Sequence, residues 1–203
     1  MSTTVLGIDI GIRNLAVCEC QFTTGFKVTR DCIKLRNVPI GSGKTSPVPD
    51  MIDRLGMLLG SVITDVPSIV IIENQLQRAN TLRVIQYAIH SYMRGRFGQS
   101  VKIVYQSGAV KFKLGTDEEM QQYAFDRNNA HNEHARYKVN KQYGLKIATQ
   151  IMGESYFNDN TKNDDMADAL CHVLYYINFK MNKQAARKKQ KPASACTAPE
   201  GKL

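Results

Sequence analysis

The sequence predicts an α/β chain built on a mixed five-stranded sheet with helices on both faces. Three observations predict it. Three short apolar runs follow one another closely between residues 4 and 31. Strand-like and helix-like patterns then alternate. The last patterned segment, residues 163 to about 181, is an apolar helix that opens on three acids in "KNDDMADAL".

The elements read as follows. "TVLGIDIG", "NLAVCECQF" and "FKVTRDCI" are the first three strands, and their short spacings favour antiparallel neighbours. Residues 37 to 50, "NVPIGSGKTSPVPD", are rich in Pro, Gly and Ser and read as a loop. "MIDRLGMLLGSVI" places Leu55, Leu58, Leu59 and Val62 at helical spacing. "SIVIIEN" is a buried strand ending at Glu73. "NTLRVIQYAIHSYMRGRF" sets Leu82, Ile85, Ile89, Tyr92 and Met93 on one helical face. "VKIVYQ" is the fifth strand. Residues 107 to 135 are polar with no clean period, and "ARYKVNKQYGLKIATQIMG" follows as a helix with a basic first half. Residues 1–181 thus form one domain and 182–203 a basic, disordered tail.

The formal net charge is +9, and the residues from 180 onward carry +6 of it. A basic tail on a mildly basic body suits either a polyanionic partner or simple solubilisation. No apolar run approaches the roughly 20 residues of a membrane helix, so no membrane partner is expected. The N-terminus lacks a signal-peptide pattern. Five cysteines without metal-type spacing read as reduced thiols of an intracellular protein, with Cys171 in the core.

The acids carry the chemistry. Asp9 stands inside the first apolar strand and Glu73 at the end of the fourth. A carboxylate beside such runs is costly to desolvate without a partner, unless its strand end is simply exposed. Asp164, Asp165 and Asp168 crowd one arc of a helix, where like charges repel. With strands one and four side by side, Asp9 and Glu73 meet, and the last helix can lay Asp165 and Asp168 across the same place. Hard divalent cations relieve such a cluster, Mg²⁺ being the usual occupant. Two such ions activate a water and stabilise the leaving oxygen of a phosphodiester.

Other patterns carry less. "GSGKTS" lacks the first glycine of a phosphate loop, since Val38 stands there. "HNEH", with His131, Glu133 and His134, offers transition-metal ligands or a merely exposed polar turn. His172, four residues after Asp168, either modulates the acidic face or is a structural histidine.

"GIDIGIRNLAV", "IIENQ" and "KNDDMADAL", in that order, resemble the RuvC-like Holliday-junction resolvases of the RNase H-like superfamily. The likeness spans residues 4 to about 178 and is nearest the poxvirus and iridovirus type, with fungal mitochondrial resolvases next. It implies an RNase H-like fold and a Mg²⁺-dependent endonuclease, with two ions that Mn²⁺ can replace. Such an enzyme resolves four-way DNA junctions by paired symmetric nicks and works as a homodimer. If the chain is viral, its place is the site of viral DNA replication in the host cell. By position, the resemblance makes Asp9, Glu73, Asp165 and Asp168 catalytic metal ligands. Asp164 is either an alternative ligand or the helix cap. A basic residue before the last helix is implied as well, Lys141 or else Lys138.

Phosphate contacts are expected from Arg13, Asn74, Gln75, Arg78, Arg83, Lys111, Lys113 and Lys138, each of which is otherwise ordinary surface charge. Tyr105 and Tyr137 are candidates for stacking on unpaired bases, with core packing the alternative for Tyr105. The helix from Thr81 to Phe97 is the expected dimer face. "GIDIGIRN" also resembles the first phosphate loop of the actin, heat-shock-chaperone and sugar-kinase ATPases, but no second such strand follows. The same residues would also suit an RNase H-like nuclease that cuts RNA–DNA hybrids or flaps, or a non-catalytic junction-binding module.

Overall fold

Alternation along the first strand sets the architecture. In β1 (Ser2–Ile10), Leu6, Ile8 and Ile10 enter one core and Val5 enters another, so both faces of the sheet are covered. β2 (Asn14–Thr23) divides the same way, with Leu15 and Val17 against Ala16, Cys18, Cys20 and Phe22. β4 (Ile69–Glu73) sends Val70 and Ile72 to the first core and Ile69 and Ile71 to the second. Strands buried on both faces read as continuous apolar runs, which is why these were visible in the sequence.

The computed structural model describes residues 2–23, 28–41, 47–157 and 163–181. Its sheet has the order β3-β2-β1-β4-β5, with β3 at Ile33–Pro39 and β5 at Lys102–Gln106. β1–β2 and β2–β3 are antiparallel, whereas β1–β4 and β4–β5 are parallel. Helices α1 (Val48–Val62) and α2 (Asn80–Phe97) cover one face through Met51, Leu55, Leu59, Ile85, Ile89 and Met93. Helices α4 (Glu133–Met152) and α5 (Asn163–Tyr175) cover the other through Tyr143, Ile147, Ala167 and Leu170. The expected mixed sheet with helices on both faces is what forms.

The third strand lies later than the sequence pattern suggests. Arg30–Cys32 form a 3₁₀ turn, and the strand is "IKLRNVP". It pairs only with β2, so Pro39 can close it without breaking a ladder. Residues 37 to 39, which read as the start of a loop, are thus the end of an edge strand. All but the first residue of the phosphate-loop look-alike at 41–46, and the tail at 182–203, lie outside the described residues.

The stretch without a clean period holds a 3₁₀ turn, Gly108–Lys113, and helix α3 (Asp117–Asn129). No residue of α3 is buried, so no apolar period marks it. Its start is fixed instead by a capping box between Thr116 and Glu119. Tyr123 holds it in place, stacking on Phe112 at 4.4 Å and meeting Tyr143 of α4 at 4.7 Å between ring centroids. Among the described residues no helix is long and apolar enough to cross a membrane.

Gly7 sets how closely α5 approaches the sheet. A Cβ built there would lie 2.6 Å from both the Ala169 carbonyl oxygen and Val173 Cγ2. Gly7→Ala therefore must lift the helix, at about 1–3 kcal/mol of overpacking. Thermal unfolding should show a loss of about 2–4 °C per kcal/mol. An unchanged Tm would mean the contact does not limit packing.

Candidate metal centre

Register brings the two sheet acids together. Ile8 pairs with Ile72 in the parallel β1–β4 ladder, so Asp9 and Glu73 stand one residue beyond, side by side at the strand ends. Asp9 shares its parity with Val5 and Gly7, and Glu73 shares its parity with Ile69 and Ile71. Both therefore face the α5 side. There α5 brings Asp165 and Asp168, one turn apart, into the same cleft of about 590 Å³.

Two lysines enter with them. Lys141 of α4 places Nζ 2.9 Å from Asp168 Oδ2, 3.4 Å from Asp165 Oδ1 and 3.2 Å from Asp164 Oδ2. Lys111, at the end of the 3₁₀ turn after β5, donates to Asp168 Oδ1 at 2.5 Å. Gly144 of α4 leaves room for this pairing, since a Cβ there would lie 2.9 Å from Asp168 Oδ1 and 3.3 Å from Lys111 Cδ. Both Asp168 oxygens are thus held by ammonium groups.

The electrostatics show a shortage of positive charge. Burial pushes the Asp9 carboxyl well above the ordinary range, and the charges of Glu73 and Asp168 push further, against Lys141. Burial also raises Asp165. Burial alone would lower Lys141, but Asp168, Asp9 and Asp164 outweigh it and hold the ammonium well above the usual lysine range. Two ammonium groups face five carboxylates here, and an oxygen-only carboxylate set with unmet negative charge fits hard divalent cations. Asp9, Glu73, Asp165 and Asp168 would hold them. Asp164 is more open, its side chain 36% exposed against 13% for Asp168. It lies inside the first turn of α5, not at the cap position before it.

The other expected residues divide. Arg13, Asn74, Arg78, Lys113 and Lys138 are exposed. Arg83 is half-buried and donates to the Gln77 carbonyl and the Tyr87 hydroxyl. Gln75 donates to Glu73 Oε2 at 2.8 Å, so it buttresses the acid and is not a free phosphate contact. Lys111 is buried in the cluster, not on the open surface expected of a phosphate contact. Its neighbours in the sequence form no pattern, so only the fold reveals its position. Tyr137 lines the cleft and lies with its ring 5.8 Å from Lys141 Nζ. Tyr105 lies outside the cleft and is 39% exposed, stacked on His90 and not in the core.

His131, Glu133 and His134 are all exposed. Among the described residues, Asp9, Glu73 and His172 form the one His/Cys/Asp/Glu group whose candidate ligand atoms all lie within 4.8 Å of one another, while Asp165 and Asp168 line the same cleft outside that group. His172 is buried, and Gln106 at the end of β5 bonds it. No sequence signal singled out Gln106.

No family model matches the chain, and no curated protein matches it by sequence. Solved structures do match by shape. A Thermus thermophilus RuvC structure superposes with a TM-score of 0.57 at 14% identity, covering 90% of this chain and 97% of that one. T. thermophilus RuvC in complex with Holliday junction substrate gives 0.53 at 16% identity, over 89% and 96%. Fowlpox virus resolvase with substrate Holliday junction DNA gives 0.48 at 18% identity, over 86% and 97%. The chain therefore has the RNase H-like fold in the arrangement seen in RuvC.

Proposed function

We propose that the chain is a structure-specific endonuclease that resolves four-way DNA junctions by paired symmetric nicks, using two Mg²⁺ ions. The observation that carries this reading is the convergence of Asp9, Glu73, Asp165 and Asp168 with the buried Lys111 and the partly buried Lys141 in one open cleft. When bound, the two cations would supply water activation and neutralisation of charge on the phosphodiester. Mn²⁺ would serve in their place.

The chain's own residues do the rest. Asp9 and Glu73 come from the rigid sheet and fix one side of the cleft. Asp165 and Asp168 come from α5 and fix the other. Lys141, reaching three helix acids, is placed to turn toward phosphate oxygens and stabilise the charge that builds there. Lys111 is the second such cation. Tyr137 offers a face for an unpaired base at the cleft mouth. Arg13, Asn74, Arg78, Lys113 and Lys138 supply exposed polar and charged groups for phosphate, with Arg83 beside them.

Two equivalent cuts require two copies, and α2 is our candidate dimer face. It exposes Val84 and Tyr87 outward while Ile85 and Ile89 enter the core. The order and spacing of the three acidic motifs favour the resolvase type of poxviruses and iridoviruses.

The deciding experiment incubates the protein with a synthetic four-way junction, a plain duplex and an RNA–DNA hybrid, in Mg²⁺ or EDTA. Paired nicks on the junction alone, absent in EDTA, are the expected result. Cutting only the hybrid would replace the proposal with a hybrid nuclease. Asp168→Asn should abolish cutting and retain junction binding, with thermal unfolding as the fold check. Loss of binding by the folded variant would show that Asp168 does more than catalysis.

Asp9 gives a stability test with a defined sign. Its folded pKa lies above the unfolded value of about 3.9. Its contribution to stability is therefore present below that value and lost as pH rises through the folded one. Metal-free Asp9→Asn should be more stable than wild type at neutral pH by about 1 kcal/mol, or about 2–4 °C. It should also gain less from added Mg²⁺. A lower Tm in the metal-free variant would contradict the charge shortage argued for this site.

A further inference from the structure

Gln106 closes β5, paired in register with Glu73. His172 lies one turn beyond Asp168 on α5, and both Gln106 and His172 are buried. Gln106 Nε2 stands 2.9 Å from His172 Nδ1 and 3.0 Å from the His172 backbone carbonyl oxygen. A carbonyl accepts only a donor, so the nitrogen of this amide, not its oxygen, must face His172. Turned over, the amide would set two acceptors against each other in a dry interior. The amide nitrogen carries two hydrogens, one for the carbonyl and one for Nδ1. Nδ1 therefore accepts, and the ring proton sits on Nε2.

A ring nitrogen of His172 also lies within 4.8 Å of carboxylate oxygens of Asp9 and Glu73, the distance of a third cation ligand. The hydrogen bonds argue against that role. The lone pair of Nδ1 is engaged and Nε2 carries the proton, so neither nitrogen has a pair to give a metal. Burial holds the imidazole below the ordinary histidine range and keeps it neutral.

Resting on the nuclease reading above, we propose that Gln106 and His172 are a positioning strut and not part of the metal shell. The pair ties α5, which carries Asp165 and Asp168, to the strand end beside Glu73. The Asn74 N–H donates to the Gln106 backbone carbonyl at 2.8 Å, so the segment leaving Glu73 is held at the residue that carries the strut. With His172 occupied, the cation shell is made of oxygens alone. That favours hard ions such as Mg²⁺ over ions that seek nitrogen, such as Zn²⁺.

The test uses the full wild-type chain with ¹⁵N-labelled histidine. Long-range proton–nitrogen NMR of the metal-free protein should show His172 as the Nε2–H tautomer, and an Nδ1–H tautomer would overturn the strut. Mn²⁺ is then added as the probe and read by pulsed EPR. Bound Mn²⁺ without directly coordinated nitrogen is expected. A nitrogen coupling that disappears in His172→Asn would overturn the proposal. Mn²⁺ that fails to bind at all would sink the metal-nuclease reading, while the tautomer would still decide the strut.

Variants separate positioning from ligation. His172→Asn should lose about tenfold in Mn²⁺ affinity, less than Asp9→Asn, which removes a ligand outright. Gln106→Met fills the space without the bonds. It should lower kcat on a junction about tenfold with little change in KM. A folded Gln106→Met with wild-type kcat would refute the strut.

Discussion

Asp168 is held between two ammonium groups, and the site is arranged around that contact. Lys111 arrives from the turn after β5, Lys141 from α4, and Asp168 itself from α5. Three elements distant in sequence must therefore be correctly docked before the contact exists. The reason for it is repulsion. Two carboxylates about 4 Å apart cost on the order of 4 kcal/mol at a surface-like dielectric, and four acids line this cleft with Asp164 beside them. The lysines offset part of that cost; Asp9, raised first by burial and then by the charges of Glu73 and Asp168, lies at its buried end. One contact thus joins three elements and sets two ammonium groups against the acid cluster.

How much of this was legible depends on whether a residue breaks a pattern. Asp9 and Glu73 were visible because each interrupts a run of Val, Leu and Ile. Asp165 and Asp168 were visible because acids at helical spacing open an otherwise apolar helix. Lys111, Gln106 and Gln75 interrupt nothing. Gln106 is a polar residue at a strand end, an ordinary thing in sequence. It becomes informative only when the parallel β4–β5 ladder sets it beside Glu73 and α5 lowers His172 onto it. Helix α3 was illegible for the opposite reason, since it buries nothing and has no period to read. The misplaced third strand has a local cause. Pro39 and the glycines after it signal a loop, while pairing with a single neighbour lets an edge strand run right up to that proline.

Fold and site answer different questions. Superposition on RuvC at 14% identity concerns the path of the chain, and a fold hosts many chemistries. The functional reading therefore rests on what this chain puts at the carboxyl ends of β1 and β4. In open α/β sheets that edge is where ligands meet loops. Here it carries the acid cluster. The turn with Arg13 follows β1, and the segment with Asn74 and Arg78 follows β4. Exposed cationic groups thus leave the same strand ends as the buried acids.

The split of the acids between sheet and helix has a structural cost of its own. Asp9 and Glu73 are fixed by a ladder of backbone bonds, but Asp165 and Asp168 ride on a helix that could slide or tilt. On the proposed reading, their spacing to the sheet must hold closely for the two sets of acids to share a cation. Gly7 limits that spacing from below by letting α5 rest directly on β1. Gly144 lets α4 close from the side, where a larger residue would push Lys111 and Asp168 apart. These two contacts set distance, and the lysine bonds to Asp168 orient one side of the helix. Further directional bonds act one turn away. Gln106 supplies two, both to His172, one turn from Asp168 on the same helix. On the proposal made above, the buried His172 beside the acid cluster serves to point the aspartates, and its nearness to Asp9 and Glu73 follows from that task.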